Sequence, residues 1–356
     1  MKDSQKRKYL IYGTGKRTAE VIKRHGKNNF LGILDRVEVC GSILNIPIIE
    51  WSEVKKSAAE SIIIVAPQNA LEEIYFRIKP YCLMRNIKIV DIYGNNLDGV
   101  FNRNEIDDTT SRDDLYKLID DNEVISFDVY DTLLMRSTIS PLDVFRMMES
   151  KGAPNGFHKI RRHVEVACRD ADIFTIYKGL AEYYSWGDND TCKILTLELI
   201  CEFLLMRARD EIVELYRYAL FKGKKVIITS DMYLPKVIMS EVLKIFGIDR
   251  MEEIFVSCDY GTSKENHLFE VVKNRYKNYK ILHIGDNKTA DVDGANRYHI
   301  CAARIHSGEE LLRKTPLVKL LGDAFTLDDS LSVGRLIGEL FNSPFVDLSV
   351  LNSKSE

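Results

Sequence analysis

Nothing in these 356 residues approaches the ~18 consecutive apolar positions that a membrane-spanning helix needs. Paired cysteines are missing too. The seven present (Cys40, Cys82, Cys168, Cys192, Cys201, Cys258 and Cys301) are odd in number and scattered, with no Cys-x-x-Cys. That argues against a disulfide framework or a zinc knuckle and points to reduced thiols in a cytosol. Charge of one sign is not in excess. Fifty Lys and Arg against 53 Asp and Glu leave a net −3, which gives no global pull toward nucleic acid or anionic membrane. Any anionic ligand must therefore be held by a local site. The basic N-terminus, MKDSQKRKYLIYG, has too short an apolar stretch for a signal peptide. What remains is the composition of a cytoplasmic globular protein, 45% apolar and 29% charged, long enough for two or three cores.

Residues 8 to about 93 alternate between strand and helix. Tyr9-Leu10-Ile11-Tyr12 is a short apolar run broken by Gly13-Thr14-Gly15, and a helical stretch follows from Thr18. Phe30 to Leu34 ends at Asp35, Ser61 to Val65 is β-branched, and Ile87 to Val90 is a further run. Such alternation predicts a parallel sheet covered on both faces. Residues 101–122 are polar and acidic, the composition of a connection between domains with a short helix near its end. A second α/β unit begins at Glu123 and resumes near Lys224. Some 80 residues between them carry helical periodicity, as at Leu195, Leu199, Phe203 and Met206, and no convincing strand. The expected architecture is a small α/β domain (1–100), a linker (101–122), an α/β core (123–135 and 216–320) with a helical insert (136–215), and C-terminal helices with a tail (321–356).

Several segments of the second unit share one design, an apolar strand that ends in a polar residue. In an open parallel sheet the carboxyl ends of strands converge on the ligand. Asp128 follows Val124-Ile125-Ser126-Phe127, Ser230 follows Val226-Ile227-Ile228-Thr229, and Asp286 follows Ile281-Leu282-His283-Ile284-Gly285. Lys264 comes after a looser run, in Gly261-Thr262-Ser263-Lys264. With Asp128-Val129-Tyr130-Asp131-Thr132 at the first position and Gly285-Asp286-Asn287-Lys288-Thr289-Ala290-Asp291 at the last, the sequence resembles the haloacid dehalogenase (HAD) superfamily over residues 123 to about 306. The phrases Phe127 to Leu134, Ser230 to Leu234 and His283 to Asn287 resemble more closely a bacterial subset found with surface-polysaccharide biosynthesis enzymes.

The resemblance implies a HAD-type doubly wound α/β sheet with a C1-type helical cap, and a phosphatase acting on a small phosphorylated sugar, polyol or related precursor. Asp128 would be the nucleophile. Mg²⁺ would sit on Asp128, Asp286 and the backbone carbonyl of Tyr130, cancelling the repulsion between a carboxylate and an anionic phosphate. Lys264 would add positive charge, Ser230 would donate to phosphoryl oxygens, and Asp291 would orient Lys264 or a metal-bound water. One position departs from the phosphatase pattern. Two residues after the nucleophile, where an Asp general acid is usual, stands Tyr130. Asp131 is the candidate replacement, or the leaving group needs little protonation. An aromatic there also occurs in dehalogenases, which lack the Gly-Asp…Asp metal motif kept here. Readings as a dehalogenase or as a non-catalytic nucleotide-sugar or partner-binding protein stay open as alternatives.

The turn Tyr12-Gly13-Thr14-Gly15-Lys16-Arg17-Thr18, with Asp35 at the end of the next strand, resembles a dinucleotide-binding half with its third glycine replaced by Thr18. Gly13, Gly15 and Asp35 are its candidate contacts to a nucleotide or nucleotide-sugar, and a structural or docking role fits equally well. The insert carries Arg161, Arg162, Arg169, Tyr177 and Lys178, by default a solvated face. His283, inside an apolar strand, is expected to be a satisfied core histidine.

Overall fold

The computed structural model describes residues 8–352, apart from 37–39, 55–58, 99, 102–107, 169–170 and 324–325. Arg169 thus lies outside the described residues. The chain is α/β, with two parallel sheets.

In the first, β1 (Tyr9–Tyr12) leads through the Gly turn into α1 (Thr18–His25) and β2 (Phe30–Leu34). A two-residue hairpin follows, β3 (Ser42–Ile43) and β4 (Ile46–Pro47), and then β5 (Ser61–Ile64), α2 (Leu71–Arg85) and β6 (Lys88–Val90). The sheet order is β2-β1-β5-β6, all parallel. Leu10, Ile11, Ile62 and Ile63 are at most 2% exposed, as residues covered on both faces must be.

Ser111 caps α3 (Arg112–Asp121) by accepting from the Asp114 amide. The second sheet starts at β7 (Val124–Phe127), every residue of which is buried. The chain then leaves through β8 (Leu134–Arg136) for the helices α4 (Asp143–Ser150), α5 (Phe157–Ala167), α6 (Ile173–Tyr184) and α7 (Asp188–Leu205), and returns along β9 (Met206–Ala208). β8 and β9 pair antiparallel, Leu134 opposite Ala208, and form the neck of the insert. Three residues each are too few to show a period in the sequence. The chain continues with α8 (Asp210–Phe221), β10 (Lys225–Ser230), α9 (Lys236–Ile245), β11 (Glu253–Val256), the single turn α10 (Ser257–Tyr260), α11 (Leu268–Arg275), β12 (Ile281–Gly285), α12 (Gly294–Arg297) and β13 (Cys301–Arg304). The order β11-β10-β7-β12-β13, parallel throughout, places β7 at the centre. Val124, Ile125 and Phe127 are 0% exposed, and full burial of such side chains contributes about 1.5–3 kcal/mol each.

Helix α7 is turned inside out relative to a simple amphipathic pattern. It buries Glu198 and Glu202 and exposes Ile200, Phe203 and Leu204. Each buried acid meets an arginine: Arg161 donates to both carboxylate oxygens of Glu198 at 2.8 Å, and Arg136 to both of Glu202 at 3.0 and 2.9 Å. Arg161 is 0% exposed, which corrects the expectation of a solvated arginine face. The helical period could not reveal that its partner sits two helices on, in α7. Arg162 is half-buried on Glu165, Tyr177 donates to Glu198 at 2.8 Å, and Lys178 is exposed.

The C-terminal elements are α13 (Gly308–Arg313), α14 (Lys319–Asp323), α15 (Leu327–Leu340) and α16 (Ser349–Asn352). α14 packs on α2, where Arg85 donates to the Gly322 carbonyl at 3.1 Å, and α15 packs on α4 and β8. The first unit also touches the insert directly. Glu50 meets Arg146 at 3.0 Å and His158 at 3.2 Å, and Lys159 meets Glu53 at 3.1 Å.

Candidate active site

The carboxyl ends of β7, β10 and β12 bring three distant segments to one rim. Asp128 directly follows β7, and its amide donates to the Ile284 carbonyl at 2.9 Å, fixing the turn to its neighbour strand. Lys264 reaches the same point from the loop after α10. Its Nζ donates to Asp128 at 2.8 Å and to Asp291 at 2.5 Å, and the lysine is 4% exposed. Its backbone amide donates to the Asp231 carboxylate at 2.9 Å, so the strand end carrying Ser230 also anchors the lysine loop. Ser230 closes β10 at 1% exposure.

Asp291 lies in a six-residue π-helical stretch, Lys288–Asp293, opened by Asn287, whose side chain accepts from the Thr289 and Ala290 amides. Asp291 folds back over Gly285. A Cβ at Gly285 would stand 2.3 Å from the Asp291 carboxyl carbon, so only glycine permits the approach. Behind Asp291, His283 bonds to its carboxylate at 3.0 Å and to Ser126 at 2.8 Å, and Ser126 bonds to Thr229 at 2.9 Å. His283 is therefore a fully buried core histidine with both nitrogens partnered, and one partner belongs to the site.

Asp128, Asp286 and Asp291 each offer a carboxylate oxygen within 4.8 Å of the others. One ammonium, Lys264, faces three carboxylates. Burial alone would raise Asp291, yet Lys264 and His283 hold it well below the usual range. Burial raises Asp286 far above it, reinforced by the charges of Asp131, Asp291 and Asp128. Burial also raises Asp128, against the pull of Lys264. Burial disfavours the Lys264 ammonium, but Asp128, Asp291 and Asp231 more than restore it, so it stays charged. Among the described residues, the carboxylate of Asp286 accepts one hydrogen bond, from Thr132 at 3.5 Å. An under-coordinated, oxygen-only cluster with surplus negative charge fits a hard divalent cation such as Mg²⁺.

Tyr130 and Asp131 follow Asp128 in the turn after β7. The guanidinium of Arg136 lies 4.1 Å above the centre of the Tyr130 ring, and the Tyr130 hydroxyl is buried without a hydrogen-bond partner among the described residues. Asp131 takes a left-handed backbone conformation, φ +57°. Its carbonyl accepts from Arg209, a fully buried arginine that also donates to the Asn342 carbonyl at 3.0 Å and whose Nη2 has no partner among the described residues. Of Asp231, Arg136 and Arg209, neither arginine carries a strand-end signature of this kind. Asp231 alone had a sequence cue, standing next to Ser230.

At the first sheet, Gly13 has φ +115°, and a Cβ there would meet the Val65 carbonyl oxygen at 2.5 Å. Gly15 has open space around its Cβ position. Asp35 turns into the Gly loop, accepting from the Thr14 amide at 2.9 Å and its hydroxyl at 3.1 Å. These residues meet in one turn, some distance in sequence and in sheet from Asp128.

No family model matches this chain, and no curated protein does. Among solved structures it is similar to a HAD hydrolase from Bacillus subtilis bound to magnesium (19% identity over 51% of this chain and 86% of that one, TM-score 0.35). It is also similar to a 2-haloacid dehalogenase from Pseudomonas syringae pv. Tomato DC3000 (15%, 60% and 97%, TM-score 0.38). A third is a HAD phosphatase from Thermococcus onnurineus (15%, 52% and 86%, TM-score 0.33).

Proposed function

We propose that this chain is a Mg²⁺-dependent HAD-type phosphatase that hydrolyses a small phosphorylated metabolite, a sugar, polyol or related polysaccharide precursor, through an aspartyl-phosphate on Asp128. The observation that carries the reading is the Lys264 ammonium bridging Asp128 and Asp291, with Asp286 on the same rim.

Asp128 attacks phosphorus, and the bond from phosphorus to the leaving oxygen breaks, that oxygen keeping the bonding electrons and taking a proton from Asp131, the candidate acid, or from water. Water then attacks the same phosphorus and frees the carboxylate with inorganic phosphate. Lys264 offsets the charge of the nucleophile and of the phosphoryl group as they approach. Asp291 and Asp231 hold Lys264 from two sides, so that its ammonium needs no reorganisation at the moment of reaction. Ser230, at the end of β10, donates to a phosphoryl oxygen in this scheme. Asp128, Asp286 and the carbonyl of Tyr130 would hold Mg²⁺, which when bound would neutralise carboxylate and phosphate charge together. The helices of the insert act as the cap that excludes water, and the first sheet is an accessory unit whose Gly turn takes a nucleotide or nucleotide-sugar or serves in docking.

The carboxylate cluster favours phosphate over halide chemistry, because halide release needs no divalent cation. Phosphate release from a panel of sugar and polyol phosphates, with Mg²⁺ and with chelator, tests the reading. Asp128→Asn should lower turnover at least about 1,000-fold, the scale on which loss of a nucleophile is felt. Equal turnover by parent and variant would end the proposal.

A further inference from the structure

We propose that Glu202, on helix α7 of the insert, is a positioning residue for two core loops, seating Tyr130 beside the nucleophile through Arg136 and the Ser230 loop through Tyr233. The inference rests on the hydrolase reading above and gives the insert a part in it beyond excluding water.

Glu202 is 2% exposed, and a carboxylate taken so far out of water persists only where donors surround it. Its donors come from outside its own helix. Arg136, at the end of β8, donates from Nε at 3.0 Å and from Nη2 at 2.9 Å, and the Tyr233 hydroxyl donates at 3.0 Å. With its edge spent on Glu202, Arg136 lays its face 4.1 Å from the centre of the Tyr130 ring. One turn earlier on α7, Glu198 grips Arg161 through both carboxylate oxygens, and that guanidinium lies 4.6 Å from the centre of the Tyr233 ring. Two acids on one helix face thus fix two guanidiniums, each over a tyrosine of the core.

Those tyrosines stand close behind Asp128 and Ser230 in the chain. The Ser230 loop is braced at each step. Asp231 accepts from the Lys264 amide at 2.9 Å, the Met232 amide donates to the Ser257 hydroxyl at 2.9 Å, and the Tyr233 carbonyl accepts from the Ile173 amide at 2.8 Å. Ile173 opens α6, so the insert holds this loop by its backbone as well as through Glu202. Burial, reinforced by the charge of Glu202, holds the Tyr130 hydroxyl above its ordinary value, and it keeps its proton. An aromatic at this place is suited to seating the turn rather than to proton transfer. Removing the Glu202 charge leaves Arg136 without its acid and loosens both tyrosines, so Asp128 and Ser230 lose their registration with each other.

The test uses the full chain with Mg²⁺ and acetyl phosphate, turnover being corrected for the folded fraction read by circular dichroism. Glu202→Gln should lower kcat by about 10- to 100-fold with KM within about threefold, the scale on which a misplacement of about 1 Å is felt. A residue that only stabilised the fold would shift the urea midpoint and leave the kcat of the folded molecule alone. Tyr130→Phe, which keeps the ring, should retain at least about tenfold more kcat than Tyr130→Leu. If Glu202→Gln fails to fold, Tyr233→Phe and Arg136→Lys carry the test, since each leaves Glu202 a donor, and each should lower kcat at least about threefold. A smaller loss in the variants that fold, a gain in kcat, or equal loss in Tyr130→Phe and Tyr130→Leu would overturn the inference and leave the hydrolase reading intact. No phosphate release by the parent from acetyl phosphate or from the sugar and polyol phosphates would defeat that reading, and this inference with it.

Discussion

Replacing Asp286 by Asn should make the metal-free protein more stable while removing its response to Mg²⁺. Asp286 shares a 4.8 Å space with Asp128 and Asp291, and at an effective dielectric of about 20 each like-charge pair costs about 3.5 kcal/mol. Lys264 offsets part of this, and protonation relieves more, so the expected net gain is about 1–3 kcal/mol. Urea unfolding in chelator measures it directly. The same balance gives the parent a pH slope. Asp128, pushed up to about 7 by burial, and Asp286, raised further, bind protons in the folded state at a pH where the unfolded chain does not. Their stabilisation is complete below the unfolded carboxyl value of about 4 and is lost as pH rises through the folded values, at up to about 1.4 kcal/mol per unit and proton. In chelator the parent should therefore weaken between pH 6 and 8, and Mg²⁺ should flatten that slope. An Asp286→Asn variant less stable than the parent in chelator, or a Mg²⁺-independent slope, would refute the electrostatic account.

Gly285→Ala should destabilise by about 3 kcal/mol or more, since the new methyl must displace the Asp291 carboxylate, and a urea midpoint will show it. Glu50→Gln should lower stability by about 1–3 kcal/mol by stripping Arg146 and His158 of their shared partner. Although burial works against it, Glu50 and Glu149 raise His158, so its share of that stability is present below about 6.5 and lost as pH rises through the higher folded value. Parent and Glu50→Gln unfolding curves should therefore differ less at alkaline pH than at pH 6.

The α/β class was legible because strand ends carry their own punctuation. Val124 to Phe127 and Ile281 to Gly285 are apolar runs that stop at an acid, and both turn out to be buried strands ending at one rim. Asp128, Lys264, Asp286 and Asp291 meet there. Other features left no trace in the local pattern. The neck strands β8 and β9 lie 70 residues apart and are three residues long. Arg161 read as a surface charge because a one-dimensional period cannot show that it and Glu198 are turned toward each other. Arg209 looks like any arginine before a helix. Its significance comes from two carbonyls, at Asp131 and Asn342, that only folding brings near.

The seat of Arg209 has a bearing on how the protein is made. Glu309 and Ile337 belong to α13 and α15, and just past them Asn342 supplies one of the two carbonyls that seat the buried Arg209, the other being that of Asp131. A ribosome exposes Asp128 some two hundred codons before those residues emerge. The sheet can assemble early, but Arg209 lacks its second carbonyl until that late stretch docks, so a nascent or clipped chain would hold the turn at Asp131 less firmly.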